Sequence, residues 1–308
     1  MINNPKVSIL MNGYNAQKYL KEAIDSIYAQ TFEDWEIIFI DNCSTDNTKK
    51  IVDSFDDKTK YYKTEKNISL GAARNFGLQY CKGEYLAFLD TDDIWFPKKL
   101  ELQLLGLEKS KAYMSFTSVD FINIHNKIID TKIIDDDDAK LCNQFKKYTI
   151  NMQTVVINKK RFLPIFDETL TYAPDYKLFM SILAKSNGNV IVLSDVLVQY
   201  RIHSDSLSNK SIAVKYSEVK GILLFLKEHY STQVNDCLTE FNFALLFNKI
   251  NKAEYYLSEN KFYEAAKIYK ILKDVNNNLF IKSIFYKIPV FNKLFYNYLQ
   301  YKNNKKLL

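Results

Sequence analysis

Gly83-Glu84-Tyr85-Leu86-Ala87-Phe88-Leu89-Asp90-Thr91-Asp92-Asp93 decides how the chain is read: an apolar run from Tyr85 to Leu89 delivers three carboxylates to one point. Five consecutive apolar residues suit a central strand of a parallel sheet, buried on both faces. Ligands of such sheets bind beyond the carboxyl ends of the strands, where Asp90, Asp92 and Asp93 stand. Carboxylates crowded there repel one another unless a divalent cation gathers them, and such a cation would itself grip a phosphate. The plainer alternative is a strand followed by a helix N-cap, since Asp92-Asp93 before Ile94-Trp95-Phe96-Pro97 would also start a helix.

Upstream of this stretch, residues 7–11 read as a short buried strand, 18–29 as a helix, and 36–40 as a second strand ending at Asp41-Asn42-Cys43-Ser44. A helix over 47–55, a strand at 60–63 and a helix over 71–81 complete an alternation that implies an α/β fold, a mostly parallel sheet flanked by helices. Downstream, residues 113–123, 127–134, 151–158 and 190–200 are strand-like and 176–185 helical, in a less regular second half. Asp135 to Asp138 read as a solvated loop with no catalytic role. Strand signals stop at Ile212, so the expected organisation is a sheet domain over 1–208 and a helical C-terminal region over 209–308. Within the latter, Ala253 to Tyr269 resembles one tetratricopeptide-type hairpin, which alone forms no solenoid and reads as a packed helical pair. The basic, aromatic segment 279–308 suits either a membrane surface or packing on the main domain.

With 308 residues, 47% apolar and 25% charged, the chain is a globular one, and 7 Gly with 5 Pro leave little room for linkers. The net charge of +6 suits an anionic ligand or membrane surface and falls short of a nucleic-acid-binding stripe. Cys43, Cys81, Cys142 and Cys237 are widely spaced and read as reduced thiols. No charged, apolar leader and no run of roughly 18 to 20 apolar residues is evident, which implies a cytoplasmic chain, peripheral at most on the inner face of the membrane.

The motifs combine in order: Val7 to Met11 with Tyr14-Asn15, Gln30-Thr31-Phe32 through Ile40-Asp41, Ser44-Thr45-Asp46, Gly71-Ala72-Ala73-Arg74-Asn75-Phe76-Gly77, Gly83-Glu84-Tyr85 and Asp90-Thr91-Asp92-Asp93. Phe166-Asp167-Glu168, Ala173-Pro174-Asp175-Tyr176 and Tyr200-Arg201-Ile202-His203 with Ser206 and Ser208 follow. Together they resemble the inverting family 2 glycosyltransferases of the GT-A fold, over about the first two thirds of the chain. The resemblance implies transfer of a sugar from a nucleotide-sugar, a UDP-sugar by preference, to a hydroxyl of a glycan or lipid-linked glycan acceptor, with Mn2+ or Mg2+ as cofactor.

It also assigns roles. Asn12 and Tyr14 lie in the loop after the first strand, where an aromatic can lie against a nucleobase. Asp41 and Asn42 occupy the base site; the family carries two aspartates there, and Asn42, an amide that donates and accepts, could still pair with uracil. Their plain alternative is to cap the next helix. Gly71 and Arg74 face the nucleotide, with the guanidinium on phosphate or base; the plain alternative for Arg74 is a structural pair with an acidic neighbour. Asp90-Thr91-Asp92 matches the family's DxD motif, with Asp90 on the ribose or metal shell and Asp92 the direct metal ligand. Asp175 stands as the catalytic base, although Pro174 replaces the usual glutamate before it, and its plain alternative is to cap the helix that follows. His203 closes on the metal or diphosphate.

Two other classes compete. A sugar-nucleotide pyrophosphorylase would need a glycine-rich basic loop after the first strand, which Asn12-Gly13-Tyr14 does not supply. A noncatalytic sugar-nucleotide-binding scaffold would tolerate loss of Asp92 and Asp175, and both are present. Gly-x-Gly-x-x-Gly and Gly-x4-Gly-Lys turns are absent, which disfavours NAD and ATP chemistry.

Overall fold

The computed structural model describes residues 4–204, 212–259, 261, 263–265 and 267–268. Its first half is the expected alternation: β1 (Val7–Gly13), α1 (Leu20–Tyr28), β2 (Trp35–Asp41), α2 (Thr48–Val52), β3 (Thr59–Lys63), α3 (Leu70–Leu78) and β4 (Tyr85–Phe88). β5 (Ile94–Trp95), α4 (Lys99–Ser110), β6 (Met114–Ile122), β7 (Ile128–Lys132), α5 (Leu141–Lys146), β8 (Val156–Asn158), α6 (Pro174–Ser186) and β9 (Ile191–Arg201) follow. The helices α7 (Ile212–His229), α8 (Ser231–Asp236) and α9 (Leu238–Ser258) come last among the described elements.

The strands form one nine-stranded sheet in the order β3-β2-β1-β4-β8-β6-β9-β5, with β7 added to β6. β3, β2, β1 and β4 run parallel, β8 is antiparallel to both β4 and β6, and β6 returns to a parallel pairing with β9. In register, Asn12 faces Ile40, Gly13 faces Asp41 and Leu10 faces Phe88. The chain leaving β4 toward Asp90 therefore emerges beside Asn12 and Asp41, so topology alone gathers three motif segments at one end of the sheet.

The core explains why β1, β2 and β4 are largely apolar. Val7, Ile9, Met11, Ile37, Phe39, Ala87 and Leu89 share one cluster with Leu20, Ile24 and Ile27 of α1. Entry into β4 is set by Gly83: a Cβ there would lie 2.3 Å from the Ser8 nitrogen, and the Gly83 N–H donates to Ser8 Oγ at 2.7 Å. Any side chain would push the acidic strand out of register with β1.

Several expectations need correction. Asp92-Asp93 do not cap a helix, because the chain passes into β5, and the helix α4 starts only after Pro97. Asp136–Ala139 form a 3₁₀ turn capped by Asp135; Asp135 to Asp137 are exposed as the solvated-loop reading required, whereas Asp138 is half-buried and accepts from Thr149 Oγ1 at 2.9 Å. Cys142 and Cys237 are not reduced thiols but a disulfide, with sulfurs 2.06 Å apart across 95 residues of sequence, while Cys43 and Cys81 are free. Such a separation leaves no spacing pattern to read. The chain also divides into two compact units, 1–244 and 245–308, with α7 and α8 in the first. Residues 205–211 and the segment 279–308, with Ser206, Ser208, Asn260, Ala266 and Tyr269, lie outside the described residues.

Candidate active site

The loops after β1 and β2 are fastened to one another. The Asn15 N–H donates to Ser44 Oγ at 2.9 Å, the Thr45 N–H returns a bond to Asn15 Oδ1 at 2.9 Å, and the Asn42 N–H donates to the Gly13 carbonyl at 2.8 Å. Asn15 and Cys43 adopt left-handed backbone, with φ of 53° and 72°, which turns each loop sharply at its strand end. Tyr14 is 54% exposed on this platform, with its ring open to a planar ligand. Asn12 is half-buried at the end of β1.

Asp41 and Asn42, expected to read a base, are spent on scaffolding. Asp41 is buried, its Oδ1 accepting from the Ser44 N–H at 2.7 Å and its Oδ2 from the Tyr61 hydroxyl. Asn42 pairs with the Ile68 backbone through both ends of its amide, Nδ2 donating to the carbonyl at 2.9 Å and Oδ1 accepting the N–H at 2.9 Å. That oxygen also accepts from Thr64 Oγ1 at 3.1 Å. An oxygen that already holds two donors is not available to a uracil edge, so the base-pairing role expected for Asn42 is not supported by this arrangement. The residue instead fixes the loop between β3 and α3.

α3 starts at Ser69, whose hydroxyl accepts from the Ala72 N–H at 3.3 Å. Gly71 is needed there because a Cβ would lie 2.9 Å from the Asp167 carbonyl, so α3 and the segment before α6 touch backbone to backbone. One turn on, Arg74 is only 4% exposed, reaches Asp90 Oδ1 with Nη2 at 3.4 Å and lies 5.3 Å from the centre of the Phe166 ring. Its Nη1 is a buried donor with no partner. Burial pushes the Asp90 carboxyl up, the Arg74 charge opposes that, and Asp92 and Asp175 add to it. Asp175, at the second position of α6, is likewise pushed up by burial and pulled down by Arg74. One guanidinium therefore acts on the carboxylate at the end of β4 and on the one opening α6.

Asp92 Oδ2 lies 2.8 Å from His203 Nε2, and the imidazole rests beside the Tyr19 ring at 5.5 Å. Arg201, two residues before His203, faces the other way. Its Nε donates to the Asp92 carbonyl at 2.9 Å, its Nη2 meets Glu22 Oε2 at 2.7 Å, and its guanidinium covers Tyr19 at 4.5 Å. Asp93 also departs from the three-carboxylate expectation. It is 1% exposed and accepts the Arg201 N–H at 2.8 Å, and burial with the Asp92 and Asp90 charges pushes its carboxyl well above the usual range. Arg201 and Asp93 thus lock the Asp90 to Asp92 turn onto β9. Thr91 sits half-buried in that turn, against Gly13.

No group of three ligating side chains that could hold a metal by itself occurs among the described residues. That donor set fits a cation completed by its substrate: Mg2+ is commonly held by one or two carboxylates plus phosphate oxygens, and imidazole next to carboxylate is acceptable to Mn2+. The buried Nη1 of Arg74, beside these carboxylates, leaves one donor available to an anion.

Residues 8–180 match the family described as Glycosyl transferase family 2. The chain belongs to glycosyl transferase family 2. The UDP-Glc:alpha-D-GlcNAc-diphosphoundecaprenol beta-1,3-glucosyltransferase WfgD of Escherichia coli is 32% identical over 215 residues, covering 70% of this chain and 82% of that protein. The putative teichuronic acid biosynthesis glycosyltransferase TuaG of Bacillus subtilis is 30% identical over 215 residues, 68% of this chain and 85% of that one. Among solved structures, S. aureus TarS in complex with UDP-GlcNAc superposes with a TM-score of 0.64 at 20% identity, covering 81% of each chain. At that identity the likeness speaks for the fold, which is GT-A. The protein is accordingly a glycosyltransferase of glycan biosynthesis.

In this family 2 enzyme the segment carrying Asp175 is held by residues to which sequence reading gave no role. Asn75 donates to the Phe166 carbonyl at 2.9 Å and to Glu168 Oε1 at 2.8 Å, and accepts the Phe166 N–H at 2.9 Å. Asn75 sits inside a quoted motif, yet only the fold shows what it grips. Glu218 on α7 collects the backbone just ahead of α6, and nothing local in the sequence separates it from any other helix glutamate.

Proposed function

We propose that the chain transfers a sugar, with inversion, from a nucleoside-diphosphate sugar to a hydroxyl of a glycan acceptor, UDP being the favoured nucleotide. The observation that carries this reading is the position of Arg74, a buried cation with an unmet donor, between Asp90 beyond β4 and Asp175 opening α6. In the reaction the acceptor oxygen forms a bond to the anomeric carbon from the face opposite the leaving group. The bond from that carbon to the diphosphate breaks, and the acceptor proton passes to Asp175. Asp92, with His203 beside it and Asp90 near, would hold Mg2+ or Mn2+, which neutralises the leaving diphosphate. Arg74 would meet the same phosphates, and Tyr14 would lie on the base, with Asp41 and Asn42 supporting the base loops from beneath.

Support for UDP and for a lipid-linked acceptor comes from the relatives. The name of WfgD gives UDP-Glc as donor and a diphosphoundecaprenol-linked GlcNAc as acceptor. TarS was solved with UDP. A manganese ion and GDP-Man occupy the mannosyltransferase PcManGT of Pyrobaculum calidifontis, a fold neighbour with a TM-score of 0.58. A lipid-linked acceptor would place the enzyme on the cytoplasmic face of a membrane, with residues 279–308 as the contact. Removing them would then abolish sedimentation with anionic vesicles and spare donor turnover.

The deciding experiment is nucleotide release from UDP-, dTDP- and GDP-sugars with Mn2+, Mg2+ or EDTA, comparing the wild type with Asp92→Ala. Metal-dependent release from one donor, lost in the variant, is the expected result. Release that persists in EDTA or in the variant refutes the metal assignment.

A further inference from the structure

Glu218 lies on α7, and both of its carboxylate oxygens point into the segment that leads to Asp175. Oε1 accepts the Thr171 N–H at 2.6 Å, and Oε2 accepts the Tyr172 N–H at 2.8 Å and the Ala173 N–H at 2.9 Å. Three consecutive amides are thus gathered by one side chain 45 to 47 residues away in sequence. Ala173 is the residue before α6, and Pro174 follows with no N–H and a fixed φ. The direction in which α6 sets out, and with it the placement of Asp175 one residue later, is therefore determined by how Thr171 to Ala173 are held.

An ordinary cap would leave the arrangement at one or two bonds from a neighbour in sequence, and the first-turn acid of α6 is Asp175 itself. Here the amides ahead of the helix are held from another helix. Asn75 and the Lys177–Asp167 ion pair, at 2.6 Å, fix the same segment further upstream, at Phe166 to Glu168. Between those anchors and α6, Glu218 is the described side chain that grips the main chain of 171–173. Glu218 borders an open pocket of about 390 Å³ lined also by Asp167, Lys177, Ser217 and Phe225. Water can enter there and replace lost acceptor atoms, so the fold can survive a substitution that leaves the segment loosely held.

We propose that Glu218 is a positioning residue for sugar transfer, its carboxylate fixing the three amides ahead of α6 so that Asp175 meets the acceptor hydroxyl in reactive geometry. This rests on the reading of Asp175 as the base. It predicts that Glu218 governs the acceptor half of the reaction and leaves donor binding alone, since none of its contacts reaches Asp90, Asp92 or Arg74.

The test uses the full chain and the variants Glu218→Gln, Glu218→Ala and Glu218→Asp beside Asp175→Asn. Transfer, nucleotide affinity and thermal melting are read for each. The Gln variant is nearly isosteric but turns an NH2 toward amide donors, and misplacement of a reacting group by about 1 Å can cost about 10²-fold. Expected are a 10- to 100-fold fall in kcat for Gln and Ala, nucleotide affinity within about twofold of wild type, and partial recovery in Glu218→Asp, which keeps the charge. Faster amide exchange across 171–173 in Glu218→Gln, with no change around 90–93, reports the same loosening even where turnover is too low to measure. Wild-type kcat in Glu218→Gln and Glu218→Ala, with Asp175→Asn inactive, overturns the positioning role and spares the base. Full activity in Asp175→Asn removes the base assignment, and the positioning role goes with it. A loss shared equally by melting temperature, nucleotide affinity and kcat would mark Glu218 as merely structural.

Discussion

Asn12, Asp41 and Asp90 meet at one end of the molecule because β1, β2 and β4 are parallel and in register. Asp175 joins them because a segment with no strand of its own is pinned from two sides, by Asn75 of α3 and Glu218 of α7. On the proposed function, the first is the donor end, a property of sheet topology fixed by residues buried throughout the core. The second is then the acceptor side, a property of a few hydrogen bonds between elements far apart in sequence. One half should resist single substitutions outside its carboxylates, and the other should be sensitive at positions that never touch a substrate.

The largest effects separate the two halves directly. Asp92→Ala is expected to remove metal-dependent donor turnover and to weaken nucleotide binding. Asp175→Asn is expected to lower transfer by about 10²- to 10⁴-fold while nucleotide affinity, followed by calorimetry, holds. Equal loss of nucleotide affinity in both variants would break the division.

Arg74 is where the halves share a charge, and Arg74→Met should cost on the order of 10²- to 10³-fold, the scale of losing a group that stabilises charge in the transition state. The sign of the accompanying pH change can be worked out. Burial pushes the Asp175 carboxyl up and Arg74 pulls it down. Removing the guanidinium raises it further, and a base works only when deprotonated, so the acid limb of kcat/KM must move to higher pH. A limb that moves down, or stays in place, shows that the group titrating there is not Asp175.

A smaller effect is expected at Asn75. Asn75→Ala removes three hydrogen bonds between α3 and the Phe166 to Glu168 segment, at least one of them to a part-buried backbone group. Loss of about 1 to 3 kcal/mol in chemical denaturation is the expected scale, with kcat falling and donor KM unchanged. A rise in donor KM instead would mean that α3 carries its strain to Arg74 and that the acceptor side is not separately held.

How much of this could be read beforehand follows the same division. Residues 7–93 could be placed because β1, β2 and β4 are buried, largely apolar parallel strands and the last leads straight into Asp90 and Asp92. Asp41 and Asn42 were located correctly in the fold, but their contacts run to Ser44, Tyr61, Thr64 and Ile68, and only the folded chain shows that their polar atoms are already engaged. Asp93 reads like Asp92 in sequence, and the difference between burying a carboxylate against Arg201 and presenting it beside His203 is made by β9, more than 100 residues later. β5 is two residues long, too short for any periodicity, and the Cys142–Cys237 bridge and the Glu218 contact join segments that no local pattern connects.

The smallest effect on catalysis is expected in the core away from both halves. Lys99 of α4 is fully buried, its Nζ donating to Gln103 Oε1 at 2.7 Å and lying 4.0 Å from the centre of the Trp95 ring. Gln103 in turn donates to Ser115 Oγ at 3.0 Å and to the Thr154 carbonyl at 2.9 Å, tying α4 to β6 and to the turn before β8. Burial holds the Lys99 ammonium well below its ordinary 10.5. The unfolded chain therefore takes up a proton that the folded chain does not, in the window between the depressed value and 10.5, and stability falls as pH drops through that window. Lys99→Met abolishes this contribution, so melting temperature should depend less steeply on pH on the alkaline side. At neutral pH the relief of desolvation is offset by leaving Gln103 Oε1 without a donor, a loss of about 1 to 3 kcal/mol, so the net change should be small. Turnover should stay within about twofold, because hydrogen bonds from Lys99 reach neither Asp92 nor Asp175. A clear fall in kcat with intact melting would show that α4 sets the relative placement of donor end and acceptor loop, and the two halves would then have to be treated as one mechanical unit.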